Sequence, residues 1–205
     1  LHLLPLHMMP LENGDLVIER FNKGVSYAPS SQILQLTQKQ KRPHFSQLFA
    51  VQNPTEDLIY ADLEVETIRH DFNSSQVLIR KDASETKVKT NHHFQSSHCS
   101  HFSCHGNFNL GLAYASGLSL AKDDSQEDSQ LTLAEIFGLN LGQCRLVTLS
   151  ACETGLTEFK SYSDEYIGLP SGFIFAGSPS VVCSLWAVDQ VSTAFLLIKF
   201  YQNLK

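Results

Sequence analysis

Two short motifs place a cysteine after an apolar run and a histidine after a half-apolar run, where the chain changes to small and polar residues. Residues 145–155, RLVTLSACETG, contain an apolar, β-branched run that is typical of a buried strand and ends at Cys152. Residues 99–106, CSHFSCHG, have the same design and end in His105 and Gly106, where glycine permits a sharp turn. Catalytic groups lie at the carboxyl ends of strands in open α/β sheets. If the two strands are neighbours, about 4.8 Å apart, the cysteine and the histidine face each other over one cleft.

This pair of side chains predicts nucleophilic chemistry. A free thiol has a pKa of about 8.5, so only a few per cent of it is thiolate at neutral pH. A nearby imidazole can deprotonate the thiol and later protonate a leaving amine. The alternative is structural, because a lone cysteine at a strand end is usually a small buried hydrophobe. From the residue types alone both interpretations stay open.

A cluster of possible metal ligands ends at His105 and suggests a zinc site. Its spacings match no standard zinc finger. Strand residues alternate between the two faces of a sheet, so Cys99, His101 and Ser103 cannot share a site with His98 and Cys104. We therefore expect no metal and no other cofactor, and we expect Cys144 and Cys183 to be core residues. The possible ligands are His92, His93, His98, Cys99, His101, Cys104 and His105.

Composition narrows the class of protein. The chain has 205 residues, 42% of them hydrophobic and 18% charged, which suits one ordinary globular domain. Its net charge is −6, and it has no basic stripe of the kind that nucleic-acid binding needs. The apolar runs are shorter than the roughly 18 residues of a membrane span. We expect neither nucleic acid nor a membrane as a partner.

The cysteines and the first residues of the chain indicate the cellular compartment of the protein. The five cysteines form no C-x-x-C pair, and an odd number cannot all be joined in disulfides, so a reducing cytoplasm fits best. The first ten residues carry two prolines and no Lys or Arg, which does not match a signal peptide. A start on leucine with a strand-like segment predicts that the chain is a piece of a longer protein.

Strand-like and helix-like segments alternate along the chain, which predicts a mostly parallel sheet covered on both faces. Residues 12–14 predict a hairpin turn, Thr132 and Glu135 predict a capping box, and Asp189 could cap the last helix. The polar segments 122–130 and 155–165 flank the proposed site and are expected to be mobile, protease-sensitive loops. Further strands are predicted at 1–6, 15–21, 47–52, 77–80 and 181–186, and helices at 31–41, 57–72, 83–93, 133–138, 166–176 and 190–204.

Four ordered motifs carry a resemblance to a known family. "HFSCHG", "LSACETG", "YIGLPSGFIFAG" and "VVCSLW-x-VD" resemble the CHAT domain, a caspase-like peptidase domain usually found in bacteria behind tetratricopeptide repeats. The segments "LHLLPLH", "VSYAPSS" and "DLIYADLEVETI" resemble the start of that domain. The resemblance therefore covers nearly all of residues 1–205. It implies a caspase-like three-layer α/β/α sandwich with a mostly parallel central sheet.

The resemblance also implies a site. His105 and Cys152 would form the catalytic dyad of a cysteine endopeptidase, with the backbone N–H groups of Gly106 and Cys152 as the oxyanion hole. His105 precedes Cys152 by 47 residues, close to the spacing of about 50 in caspases, but the caspase Gln-Ala-Cys-x-Gly signature is not matched. The substrate would be a protein or peptide, and a repeat region or partner would regulate cleavage. The alternative is a non-catalytic interaction module on the same fold, although the intact dyad favours the peptidase.

Asp189 is the candidate for substrate binding. More distant relatives that cleave after basic residues place an acidic side chain in the pocket, where it pairs with a substrate arginine. The CHAT pattern often carries two acids after "SLW", whereas this chain has Asp189 followed by the neutral Gln190. If Asp189 instead caps the last helix, we expect weak or no preference for Arg or Lys before the cleaved bond.

Overall fold

The computed structural model describes residues 5–40, 45–109, 111–123, 129–151 and 167–204. Its strands are β1 (Gln47–Gln52), β2 (Ser74–Ile79), β3 (Cys99–Ser103), β4 (Gly106–Asn107), β5 (Gly117–Ser119), β6 (Gln130–Thr132), β7 (Leu146–Ser150) and β8 (Val181–Val182). Its α-helices are α1 (Ser31–Lys39), α2 (Ala61–Arg69), α3 (Glu85–Lys89), α4 (His92–Ser96), α5 (Leu133–Ile136), α6 (Leu169–Phe175) and α7 (Gln190–Gln202). Across these ranges, no helix has both the length and the apolar character needed to cross a bilayer.

Five parallel strands form the central sheet, in the order β2-β1-β3-β7-β8. One face packs against α5 and α6 through Phe102, Leu149 and Phe173, and the other against α2 and α7 through Ala50 and Tyr201. Both faces of β1, β3 and β7 are therefore buried, which accounts for the mainly apolar sequences of β1 and β7. Strand β3 is equally buried but contains the polar residues Ser100, His101 and Ser103. The three-layer α/β/α sandwich with a parallel sheet is confirmed.

Local signals in the sequence explain most of the helix starts. The Ser30 hydroxyl caps α1, the Asp189 carboxylate caps α7, and Thr132 and Glu135 form the expected capping box of α5. Helix α2 lacks such a side-chain cap and departs from its predicted start. It begins at Ala61 rather than at residue 57, and the four residues before it form a loop.

A second, antiparallel sheet of order β4-β5-β6 lies directly after β3 and was not predicted. Its strands are two or three residues long, so periodicity could not reveal them. The Ser119 N–H donates to the His105 carbonyl at 2.9 Å, which ties this sheet to the histidine. Gly117 is required on β5, because a Cβ there would lie 2.8 Å from the Leu131 carbonyl oxygen.

The predicted strand at residues 15–21 is wrong, and the one at residues 181–186 is too long. Residues 15–21 contain a 3-10 helix, Val17–Arg20, joined to the preceding segment by a single bridge between Pro10 and Leu16. The predicted turn at residues 12–14 is present, and Gly14 has a φ of +87°. An isolated two-stranded hairpin is only marginally stable in water, which accounts for the absence of a strand at residues 15–21. Residues 6–8 are also 3-10 helix, while residues 1–4 lie outside the described residues. Strand β8 stops at Val182, well before residue 186.

Candidate active site

His105 stands at the carboxyl edge of the central sheet, two residues beyond the end of β3. Strand β3 is fully buried, whereas the His105 side chain is 40% exposed. Ser103, the last residue of β3, is the register partner of Ser150, the last residue of β7. The Cys104 N–H also donates to the Ser150 carbonyl at 3.4 Å. The strand end that carries His105 therefore lies directly beside the strand end that leads to Cys152.

The structure describes that second strand end as far as Ala151. Cys152 is the next residue in the sequence, and it lies outside the described residues, together with the segment 155–165. Ala151 is buried and lines the same pocket as His105. The meeting of His105 with Cys152 stays a prediction.

A pocket with a volume of about 110 Å³ lies between the ends of β3 and β7 and the helices α2 and α7. Its walls are mostly apolar, and Glu64 and His105 are among the polar residues that line it. A small, largely apolar cleft with a few polar groups is typical of a site that receives one side chain or group of a substrate. Residues that form the walls include Leu58, Ala61, Ala151, Val188 and Thr193.

Asp57 contacts the imidazole of His105. The Nε2 atom of His105 lies 3.0 Å from both carboxylate oxygens of Asp57. The hydroxyl of Thr55 donates to the same carboxylate. The hydrogen bond from Thr55 is the main reason that the pKa of Asp57 is lowered; burial opposes it, and the neighbouring His105 lowers the pKa further. Asp57 is therefore ionised at neutral pH and accepts the Nε2–H hydrogen bond.

The loop that carries Asp57 has an unusual backbone. Asn53 and Glu56 have φ values of +48° and +63°, in the left-handed region that residues other than glycine seldom adopt. Asn53 is buried, its N–H donates to the Ser103 carbonyl at 2.9 Å, and its side-chain oxygen accepts from the Leu58 N–H at 3.0 Å. The loop is thus fastened to the end of β3. Such strained positions tend to cluster at functional sites.

Sequence reasoning missed Asp57 because the apolar spacing predicted a helix from residue 57, which would have made this acid an ordinary first-turn residue. The available signal was the polar run of residues 53–57 directly after a buried strand. Polar residues at that point lie at the functional edge of a parallel sheet.

A buried polar network lies beneath the pocket. Glu64 Oε1 is 2.7 Å from His101 Nε2, and the Ser150 hydroxyl donates to Glu64 Oε2 at 3.0 Å. His101 Nδ1 is 3.4 Å from the Tyr201 hydroxyl, which donates to Thr148 Oγ1 at 2.8 Å. Glu64 and His101 are buried, so these contacts satisfy groups that water does not reach. The network joins α2, β3, β7 and α7 immediately below the strand end that leads to Cys152.

The remaining predicted site residues have clear positions. Gly106 is half-buried and opens β4, where it pairs with Leu118. Its proposed part in an oxyanion hole stays a prediction. Asp189 is confirmed as the cap of α7, because its carboxylate accepts from the Ser192 N–H at 3.0 Å and from the Ser192 hydroxyl at 2.9 Å. The backbone hydrogen bond from Ser192 is the main reason that the pKa of Asp189 is lowered.

The described cysteines are free thiols that packing removes from water. Cys144 is buried as expected, and Cys183 is partly buried against the core. Burial raises the pKa of Cys183 to about 12, and it also raises the pKa values of Cys99, Cys104 and Cys144. These four thiols are therefore protonated and unreactive at neutral pH. Within the described part of the chain, His, Cys, Asp and Glu side chains nowhere form a group of three that could hold a metal ion.

Comparison with models of known protein families gives a match to the CHAT domain over residues 1–205. No curated protein matches the sequence.

Proposed function

The chain belongs to the CHAT domain family, and from that premise we propose that it is a cysteine endopeptidase in which His105 and Cys152 form the catalytic dyad. CHAT domains have a caspase-like fold, and the parallel sheet flanked by helices agrees with it. The family suggests a cysteine peptidase. The assignment of the dyad, the cleavage of a protein or peptide, and regulation by a repeat region or partner are our proposals.

The observation that carries the proposal is the register of β3 and β7. Ser103 and Ser150 are partners at the ends of these strands, and the histidine and the cysteine each follow two residues later. Neighbouring strands are about 4.8 Å apart, so equal offsets from paired residues bring two side chains within reach of one another. The exposed His105 beside the buried Ala151 supports a dyad that opens into the pocket.

The proposed reaction needs no cofactor. His105 takes the proton of the Cys152 thiol, and the thiolate attacks the carbonyl carbon of the scissile peptide bond. The backbone N–H groups of Gly106 and Cys152 donate hydrogen bonds to the resulting oxyanion. When the C–N bond breaks, His105 gives its proton to the leaving amine. Water, deprotonated by His105, then hydrolyses the thioester and frees Cys152.

A thiol-reactive peptide probe tests this proposal. A peptidyl acyloxymethyl ketone should form one adduct, which peptide mapping locates on Cys152 and which Cys152→Ala removes. Cys183→Ala is the matched control, since the pKa of its partly buried thiol is raised to about 12 and the adduct should not change. The proposal fails if the adduct persists in Cys152→Ala, or if a wild-type chain with native structure forms none. The interaction module would then be the better account of the chain.

A further inference from the structure

We propose that Asp57 is a positioning residue for His105, which it holds in one tautomer and orientation. The inference rests on the proposed function, because that function makes His105 the base, and the ring of a base must be oriented. It also adds a residue that neither the family match nor the sequence motifs assign. Two observations carry it, the contact at Nε2 and the loop that delivers Asp57, and the tautomer follows from the first of them.

The contact is specific to one ring nitrogen. Both oxygens of Asp57 lie 3.0 Å from His105 Nε2. An ionised carboxylate can only accept hydrogen bonds, so Nε2 carries the proton. In neutral imidazole the other nitrogen, Nδ1, then holds the lone pair. No hydrogen bond to Nδ1 occurs among the described residues, which leaves Nδ1 as the base for the Cys152 proton.

The same contact acts again once the proton has moved. When Nδ1 takes the thiol proton, His105 becomes an imidazolium, and Nε2–H still points at the carboxylate. A charge-assisted hydrogen bond is stronger than a neutral one, so Asp57 stabilises the charged form that the reaction creates. The hydrogen bond from Thr55 keeps the carboxylate ionised for this purpose.

Capping of α2 does not account for the position of Asp57 in its loop. Tyr60 is the N-cap residue of α2 and makes no side-chain capping bond, so Asp57 does not cap the helix. Asn53 instead holds the loop to β3 at Ser103, two residues before His105. The strained φ angles of Asn53 and Glu56 are thereby maintained where they present Asp57 to the imidazole.

The tautomer of His105 provides a test that does not depend on turnover. In the full chain with ¹⁵N-labelled histidine, neutral His105 should be the Nε2–H tautomer, as read from its two ring-nitrogen chemical shifts. Asp57→Ala should convert a measurable fraction to the Nδ1–H tautomer. Asp82→Asn is the matched control, because Asp82 is an exposed carboxylate paired only with Lys87 in the described structure, at 2.6 Å. An unchanged tautomer in Asp57→Ala would overturn the proposal.

Kinetics supply the second readout. With a fluorogenic peptide selected from a library, kcat should fall about 100-fold in Asp57→Ala while KM changes little. This is less than the roughly 10⁴-fold loss for the buried aspartate of serine-protease triads, because Asp57 is 61% exposed. Asp82→Asn should keep the wild-type kcat. An unchanged kcat in Asp57→Ala contradicts the positioning role, whereas a wild-type chain that cleaves nothing contradicts the peptidase proposal and leaves the tautomer measurement to decide on Asp57.

Discussion

Ser103 and Ser150 are register partners at the ends of two adjacent parallel strands, and each lies two residues before one member of the proposed dyad. Ser103 and Ser150 are 47 positions apart in the sequence and are direct neighbours across the sheet. Small or polar residues follow both strands, Cys104 to Gly106 after β3 and Ala151 after β7.

Substitution of either dyad residue should remove activity and spare the fold. We expect Cys152→Ala and His105→Ala each to abolish peptide cleavage, because each removes a group that takes part in bond formation or proton transfer. Neither substitution removes much buried apolar area, and His105 is 40% exposed, so the thermal midpoint should move little. Turnover with a fluorogenic peptide and a thermal melt measure both effects. His92→Ala, at an exposed histidine of α4, is the control, and normal turnover in either dyad variant would refute the assignment.

Asp189 should not set the cleavage preference. Its carboxylate is engaged by Ser192 at the start of α7, so we expect weak or no preference for Arg or Lys before the cleaved bond. Asp189→Asn keeps a good capping residue and should leave both the peptide-library profile and the stability nearly unchanged. A strong preference for Arg in the wild type that disappears in Asp189→Asn would assign Asp189 to substrate binding instead.

The buried pair of Glu64 and His101 should contribute strongly to stability. Glu64→Ala leaves the buried His101 ring without its acceptor and also removes the acceptor of the half-buried Ser150 hydroxyl, which should cost about 2–4 kcal/mol of unfolding free energy. Urea denaturation measures the loss. Glu66→Ala is the control on the same helix, because Glu66 forms an exposed pair with Arg69 and should change stability by less than about 0.5 kcal/mol. A loss below about 1 kcal/mol in Glu64→Ala would show that the network is not structural.

Lys89 joins two helices through carboxylates, and this link should depend on pH. It contacts Glu85 at 2.9 Å and Glu135 at 2.6 Å. Burial alone would raise the pKa of Glu135, but hydrogen bonds from Lys89 and Thr132 outweigh it and lower that pKa to about 2. For Glu85 the balance is reversed, since burial raises its pKa. The stabilisation by Glu135 is therefore complete above its unfolded pKa and is lost as the pH falls through about 2.

Lys89→Met tests this link. It should lower the free energy of unfolding by about 1–2 kcal/mol at pH 7, a figure reduced for the partial exposure of Lys89. The difference from wild type should shrink as the pH falls from 4.5 towards 2. Lys87→Met removes an exposed pair with Asp82 and should have almost no effect at either pH. A difference that grows towards pH 2 would contradict a lowered pKa of Glu135 in the folded state.

The sequence predicted those features that local patterns determine. Buried runs identified β1, β3 and β7, and side-chain caps identified the starts of α5 and α7. The fold class followed from the alternation of strands and helices. Strand ends also located His105, because function in parallel sheets lies at the carboxyl edge.

Features that depend on distant contacts could not be predicted in this way. Residues 15–21 include the β-branched Val17 and Ile18, which favour a strand, but no neighbouring strand in the described structure completes a sheet with them. The helical spacing of apolar residues predicted that α2 begins at Asp57. Asn53 instead holds the preceding loop against β3, and the helix begins at Ala61. The hydrogen bond between Glu64 and His101 joins residues 37 positions apart, so no local sequence pattern predicts it.

The pH dependence of Cys152 alkylation tests the central claim most directly. Iodoacetamide reacts with thiolates, and the raised pKa values of the other four cysteines keep them protonated, so Cys152 should be the cysteine that is modified near neutral pH. If His105 activates Cys152, the wild-type alkylation rate should persist well below a pH of about 8.5, and in His105→Ala it should fall away around that value, as for a free thiol. Superimposable pH profiles for the two proteins, with Cys152 reacting as an ordinary thiol in both, would contradict the dyad.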